Sequence, residues 1–479
     1  MSATTPTPAR GGPRPACWAP RRALYFQPDG EVLACCVSGW NLGTVTGPHR
    51  RSLADIWSGA AAQLLRERLD EGRFDLGCQE CEAAIEAGGR GGSMPAAFDR
   101  FAVDEAHGFP QMMDFALSSR CNLQCVMCNG ELSSSIRTQR EHRPPMAPAY
   151  DDRFFEELDP FLDHLRRALF KGGEPFLARE NRVVWDRLIE KGSGASIVIT
   201  TNGTVWNDEV EHYIRSLRAD LSISVDAVSP DLLESIRLGV DGRRLWRTID
   251  TAVALAEELG TWITLNMCLM TTNWQELPDF LRRADRLRVS ANVIHVNQPE
   301  RYDLTRLPPD ELTTIVAELR SRTPSFRDEA TADIWERTLD RLDHVGTREP
   351  SFHKQPVVRV EEPTVKSAVS RRGRGEPLRF VMVDGVIVEA DCPSWAERLD
   401  PTRWIGVSQS DLPRRVAEFL GARVETGATH LSAGDVLESE LAIHFDDESW
   451  HLHCKGGSLD SEGTRTLWMV VRVDGDPGE

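Results

Sequence analysis

The segment SSRCNLQCVMCNG, residues 118–130, decides how this chain is read. Its Cys121, Cys125 and Cys128 are spaced CxxxCxxC and follow an apolar run, Met112 to Leu117, that reads as a strand. The thiols therefore fall in a loop where a strand hands over to a helix. Three thiolates can hold three irons of a cubane cluster and leave the fourth open to bind and reduce a small molecule, which a structural four-cysteine site does not allow. Further along, the apolar run Ala168 to Phe170 leads into Lys171, Gly172, Gly173, Glu174 and Pro175. Two glycines after a strand let the backbone come close to a ligand. SIVITTNGT ends a β-branched run at Thr201, Asn202 and Gly203, and LSISVDA ends another with Ser224 and Asp226. TWITLNMCLM, 261–270, and ANVIHVNQ, 291–298, read as the fifth and sixth strands, with helices near 243–259 and 274–287. Polar residues at the C-terminal ends of such strands collect on one rim of a parallel sheet, where an α/β barrel builds its site. Asn266 and Met270 would point to the barrel mouth or interior. Six strand–helix units, rather than eight, leave one side open to a bulky substrate.

The cysteine spacing, with GGEP 44 residues after Cys128, resembles the radical S-adenosylmethionine (SAM) superfamily. The resemblance implies an α/β fold with a partial (β/α)6 barrel, placed at residues 106–345, and a 4Fe-4S cluster on Cys121, Cys125 and Cys128. In that family the cluster's electron breaks a carbon–sulfur bond of SAM, and the resulting 5'-deoxyadenosyl radical abstracts hydrogen from an unactivated carbon. Met127 stands where the family usually has an aromatic side chain against the adenine, and methionine is apolar and polarizable enough for that place. Gly172, Gly173 and Glu174 look like the motif that contacts the SAM amino group. Motif resemblance makes Asn202 and Ser224 SAM contacts, and Arg237, on the following helix, a contact to the SAM carboxylate. As plain architecture, Arg237 would be a solvated helix charge.

The N-terminal hundred residues hold a second constellation. Cys17, Gly30 and Cys35 form CX12GX4C, and Cys78 and Cys81 follow as CxxC. YFQPDGEVLACC reads as a hairpin with an Asp-Gly turn, and SLADIWSGAAAQLLRERLDEG as a helix capped by Ser52. Four thiolates can close around one metal centre, and spacing alone admits a structural zinc. The arrangement resembles the twitch and SPASM auxiliary-cluster domains, in the shorter twitch form. That implies one auxiliary 4Fe-4S cluster on Cys17, Cys35, Cys78 and Cys81. These domains usually follow the barrel; here the module, residues 17–105, comes first and is expected to dock on the open barrel side. Cys36 is expected to be a buried thiol, with a ligand role as the alternative.

At 479 residues the chain has room for two or three domains. Its 56 basic against 74 acidic residues give a formal charge of -18, a poor balance for general nucleic-acid binding. Eight of the eleven cysteines are accounted for by metal spacing or as a neighbour, and residues 1–16, read as disordered, hold no apolar signal segment. A reducing cytoplasm is expected, with no membrane span. Helices near 308–322 and 329–344 lead to a polar linker, 346–376, and then to a C-terminal α+β domain, 377–479. There LRFVMVDGVIVEAD reads as two strands, LPRRVAEFL as a helix, and two later segments as longer strands, a topology resembling a PAS-like sensory or docking domain. His451 and His453 would share one strand face and Cys454 the other, which favours a plain strand over a metal site. Cys392 and Cys268 read as buried small hydrophobes. The expected function is a radical SAM oxidoreductase acting on a peptide or natural-product intermediate. Its auxiliary cluster would aid a net oxidation or crosslink, with an electron donor such as flavodoxin or ferredoxin. The alternatives are an iron–sulfur sensory protein without turnover and a radical SAM methyltransferase, although no cobalamin-type segment is seen.

Overall fold

The computed structural model describes residues 14–90, 93–99 and 108–346, and beyond these the strands of a C-terminal sheet. Two compact units result, one of residues 1–72 with 81–353, the other of 73–80 with 354–479.

In the first unit, β1 (Ala23–Phe26), β2 (Glu31–Leu33) and β3 (Asn41–Thr44) form an antiparallel ribbon. The Asp-Gly turn closes it: Gly30 adopts φ 89°, and Asp29 Oδ1 accepts from Glu31 N at 3.1 Å. β4 (Met112–Phe115) begins the parallel part, and a two-residue β5 (Gln124–Cys125) lies in the cysteine loop. Then come β6 (Arg167–Phe170), β7 (Ser196–Thr201), β8 (Asp220–Ser224), a two-residue β9 (Arg237–Leu238), β10 (Ile263–Leu269) and β11 (Ser290–His295). The order β11-β10-β8-β7-β6-β4 is sequential, and every neighbouring pair is parallel, the α/β class expected.

β1 pairs in parallel with β4, so the sheet continues as β4-β1-β2-β3 to nine strands. The N-terminal cysteine module was expected to dock against the open side; its hairpin is hydrogen-bonded to the free edge of β4, the first parallel strand. The reason is aromatic. Phe26, Phe115 and Phe170 are in register across β1, β4 and β6 and stack at 5.3 and 4.9 Å between ring centroids. Phe154, on the helix Asp152–Leu162, meets Phe26 edge-on at 5.5 Å, and Trp185, on the helix Arg179–Glu190, covers Phe170 at 5.5 Å. All five rings are fully buried, and such pairs add to area burial.

The helix opening at Ser52 is two helices, Leu53–Ser58 and Ala60–Asp70, broken at Gly59. Ser52 caps the first by accepting from Asp55 N at 3.1 Å. Later helices run Gly242–Leu259, Leu277–Leu287, Pro309–Ser321 and Glu329–Gly346. Among the described residues no helix is long and apolar enough to cross a membrane.

The second unit contains an antiparallel sheet of β12 (Leu378–Val383), β13 (Val386–Asp391), β14 (Arg423–Glu425), β15 (Glu438–Phe445), β16 (Glu448–Gly456) and β17 (Arg465–Val473), in the order β13-β12-β17-β16-β15-β14. His451, His453 and Cys454 lie on β16. The expected helix 412–420, Cys392 and residues 347–376 of the linker lie outside the described residues, and the sheet by itself does not carry the PAS-like assignment.

Phe26→Ala should cost about 3–5 kcal/mol, the range for a large aromatic removed from a core, read by denaturant unfolding of the metal-free chain. A loss below about 1 kcal/mol would mean that the aromatic row does not hold the hairpin to the sheet.

Candidate functional site

Only two residues separate Phe115 from Ser118, so the stacked row fixes where the cysteine loop begins. Phe170 likewise fixes Lys171 and the two glycines after it. The two segments then meet backbone to backbone: Gly173 N donates to Ser118 O at 3.0 Å, and Glu174 N to Arg120 O at 2.7 Å. A β-carbon on Gly173 would stand 2.3 Å from the Arg120 carbonyl oxygen, and one on Gly172, at φ 111°, would stand 2.8 Å from that of Ser118. Glycine is required at both places by the cysteine loop itself.

The far side of the loop is tied down as firmly. β5 pairs antiparallel with β9, which sets Cys125 opposite Arg237. Ser134 Oγ accepts from Cys121 N at 3.1 Å, and Ser133 Oγ donates to Leu123 O at 2.7 Å. Arg140, at the end of a π-helical turn (Ile136–Arg140), donates to the carbonyls of Cys128 at 2.6 Å and Cys125 at 3.4 Å. π-helical turns are frequent at functional sites.

Glu174 is 1% exposed. Its Oε1 accepts from Thr201 Oγ1 at 2.8 Å and Phe176 N at 3.2 Å, and its Oε2 from Asn202 N at 2.7 Å. The carboxylate thus locks the Thr201–Asn202 corner to the glycine turn. Burial pushes its carboxyl up to about 7 despite the three donors. Asn202 reaches back to the loop, with Nδ2 3.0 Å from Asn122 Oδ1 and 3.9 Å from Cys121 Sγ.

Arg237 is not a solvated helix charge. It is the C-cap of the helix Pro230–Ile236, is 7% exposed, and lies 2.6 Å from Asp226 Oδ2 through Nε. That ion pair is close but not aligned as a hydrogen bond. Burial disfavours the charged guanidinium, but the Asp226 carboxylate together with Cys125 and Cys268 more than offsets it and holds the group above the ordinary arginine value. Arg237 Nη1 stands 3.9 Å from Cys125 Sγ. Asp226 Oδ1 also accepts from Cys268 N at 2.7 Å, and Asn273 Nδ2 donates to the carbonyls of Asp226 and Cys268 at 2.8 and 2.9 Å. Ser224, half-buried, faces Asn266 in register. Asn266 donates to Ser222 Oγ at 2.6 Å and accepts from Asn292 at 3.1 Å, so the face opposite the helices is a polar ladder. Met270 is fully buried and Met127 half-buried.

The three thiols lie in one another's field. Burial raises Cys121 and Cys125, and it pushes Cys128 up to about 12, with the charges of Cys125 and Cys121 adding to the effect. Such thiols are protonated until a soft metal displaces the proton. Among the described residues no three His, Cys, Asp or Glu side chains are placed to hold a single metal ion. The donor chemistry fits a cluster, because three soft thiols stand on one short loop that is tied down on both sides.

In the N-terminal set, Cys17, Cys35 and Cys81 are buried and Cys17 Sγ accepts from Ala19 N at 3.4 Å, which suits a thiolate ligand. Cys78 belongs to the second unit. Cys36, expected to be buried, is exposed. Sequence reasoning missed Arg140 entirely and gave Asp226 no partner; an Asp at a strand end was visible, whereas an arginine twelve residues past the last cysteine carried no signal.

Residues 116–284 match the model of the radical SAM superfamily, and residues 17–82 match SPASM, an iron-sulfur cluster-binding domain. The chain thus carries a radical SAM domain preceded by an auxiliary-cluster domain. The first domain implies a 4Fe-4S cluster and SAM, the second an auxiliary iron–sulfur cluster. Among curated proteins, the chain is similar to a GTP 3',8-cyclase of Clostridium botulinum, 24% identical over 182 residues, covering 38% of this chain and 54% of the cyclase. It is also similar to a GTP 3',8-cyclase of Rhizobium etli, 26% identical over 239 residues, covering 47% and 64%. The chain thus spans about half to two-thirds of the length of these relatives. Of solved structures, it is similar to Streptococcus suis SuiB bound to precursor peptide SuiA, at 13% identity and TM-score 0.35, covering 56% of this chain and 61% of that one. It is also similar to anSMEcpe with bound AdoMet, at 17% identity and TM-score 0.34, covering 44% and 58%.

Gly173→Val should therefore displace the cysteine loop and lower the iron held there, measured as iron per chain; full iron with only weakened SAM binding would return the glycine to ligand approach alone. Glu174 gives a pH signature. Its folded-state pKa is raised, so the stability tied to its neutral form is full below about 4.5, the ordinary value, and is lost as pH rises through about 7. Glu174→Gln should flatten that decline in urea midpoints between pH 5 and 8.

Proposed function

We propose that the chain is a radical SAM enzyme that abstracts hydrogen from a peptide or peptide-like natural-product intermediate, with net oxidation or crosslinking aided by an auxiliary cluster. The observation that carries the reading is the rigid three-thiol loop, clamped by the Gly172–Gly173 turn and by Arg237. Cys121, Cys125 and Cys128 would hold the cluster. Bound there, cluster and SAM supply reductive cleavage to a 5'-deoxyadenosyl radical able to attack an unactivated carbon. The turn at Gly172 and Gly173, the rim residues Asn202 and Ser224, and Met127 would receive SAM. Glu174 and Arg237 serve as positioning residues, the first fixing the Asn202 corner and the second fixing Cys125. Cys17, Cys35, Cys78 and Cys81 would fill all corners of a second cluster, which leaves no open iron for substrate and favours electron transfer.

The substrate class is favoured by the polar face. Ser222, Asn266 and Asn292 are neutral donors and acceptors, and the charged pair on that face, Lys171 and Asp114 at 2.6 Å, compensates itself. Such a face suits amides. A triphosphate would call for uncompensated cations.

Anaerobic reconstitution should give about eight irons per chain, two clusters of four, and 5'-deoxyadenosine on reduction with SAM. Replacing Cys121, Cys125 and Cys128 by Ala should halve the iron and abolish that product. Cys78→Ala with Cys81→Ala should keep SAM cleavage but stop formation of the oxidised product. Zinc at the N-terminal set would refute the auxiliary-cluster role, and cleavage stimulated by GTP but by no peptide would refute the substrate class.

A further inference from the structure

The chain around Cys17 holds more positive charge than its carboxylates balance, and part of it lies inside. Arg22, which ends the short helix Ala19–Arg22 before β1, is 4% exposed. Its Nη1 donates to the Phe98 carbonyl at 2.6 Å, and its guanidinium carbon stands 4.2 Å from the ring centroid of Trp18, the residue after Cys17. Among the described residues Arg22 makes no ion pair. Asp99, the carboxylate whose field it feels, is held by Arg90 at 2.9 and 3.1 Å and by Arg14. Arg90 also donates to the carbonyl of Ala16, the residue before Cys17. Three guanidiniums thus share one carboxylate. Burial disfavours a thiolate at Cys17 and Asp99 adds to that, while the Ala19 N–H and the charges of Arg90 and Arg22 act against it.

A buried cation without a counter-charge is costly, and the Trp18 face and one carbonyl relieve only part of that cost. Burial accordingly draws Arg22 down from 12.5 to about 10. An anion beside Cys17 would remove the cost. A metal centre closed by thiolates is such an anion, because four sulfur charges outweigh those of a zinc ion or of an oxidised 4Fe-4S core. We propose that Arg22 and Arg90 are the counter-ions of the N-terminal metal centre and that their charge holds its reduction potential up. The inference rests on Cys17 being a ligand of an auxiliary 4Fe-4S cluster, and it adds the residues that suit that centre to accept an electron. Reduction makes such a centre more negative by one charge, so a fixed cation favours the reduced state, most strongly in a low-dielectric interior. Arg22 acts here as a positioning residue for charge: it touches the ring beside the ligand, and its guanidinium is kept in place by the Phe98 carbonyl.

The test uses the full chain with Cys121, Cys125 and Cys128 replaced by Ala, so that the N-terminal centre holds the remaining cluster. Its midpoint potential is followed by electron paramagnetic resonance during titration with dithionite. Arg22→Gln should make reduction about 10-fold less favourable, which for a one-electron couple is ~59 mV downward. Arg22→Lys keeps the charge and should restore most of that difference. Asp99→Asn removes the one carboxylate and should move the midpoint the other way, so a fault in folding cannot imitate both shifts. A midpoint unmoved by Arg22→Gln, or lowered equally by Arg22→Lys, overturns the proposal, as does a downward shift in Asp99→Asn. If Arg22→Gln fails to hold iron, the sign of the Asp99→Asn shift decides. If the wild-type set takes zinc and no cluster, the auxiliary-cluster reading fails and takes the potential with it, and the counter-ion role is judged by chelator competition for zinc. A roughly 10-fold weaker affinity in Arg22→Gln, restored in Arg22→Lys, upholds that role; equal affinities in all three chains overturn it.

Discussion

Three phenylalanines stacked in register, Phe26, Phe115 and Phe170, set the positions on which the site depends. Two of them are the last residues of strands whose following loops must meet: Phe115 leads into Ser118–Arg120 and Phe170 into Gly172–Gly173. A sheet register is all-or-none, since a slip of one residue turns each side chain to the other face. The stacked rings penalise such a slip on three strands at once. The carbonyls of Ser118 and Arg120 can then lie where only glycine fits, and Cys121 follows within one residue. The third ring does the same for the N-terminal module, because Phe26 ends β1 and Cys35 comes two residues after β2.

The same register places charge on the opposite face. Tyr25 and Asp114 are partners across β1 and β4, and Lys171 reaches both, 2.6 Å from the carboxylate and 4.8 Å from the ring centroid. Burying an ion pair is rarely a gain in stability over apolar packing. On a face that continues as Ser222, Asn266 and Asn292, the pair keeps the row hydrophilic without leaving net charge.

Most of the parallel sheet was legible in the sequence, because runs ending in polar residues at Thr201 and Ser224 state both the strand and its polar rim. The cysteine spacing and the glycine turn were legible for a similar reason, as local patterns serving local geometry. What could not be read was partnership between distant segments. A strand's alternation says that Leu24 and Phe26 share a face, but not that β4 lies beside β1. Arg237 looked helical because the apolar period runs up to Ile236; pairing with Cys125, 112 residues away, pulls it out of the helix. Gly59 breaks a helix whose period continues on both sides. Cys36 stands at the corner of a turn that Ser38 N closes on Cys35 O at 3.2 Å, and it faces solvent while Cys35 stays buried.

These partnerships also divide the charge around the cysteine loop. Inside, Arg237 is matched by Asp226 at 2.6 Å with both side chains buried, so the interior pair adds orientation without net charge. Outside, Glu131 and Glu141 are drawn to Arg137 and Arg143, which leaves Arg120 and Arg140 unmatched in solvent. The interior pair acts where the dielectric is low and any surplus charge would be costly. The surplus sits instead where water supports it. A loop built this way is balanced in charge inside and positive toward solvent.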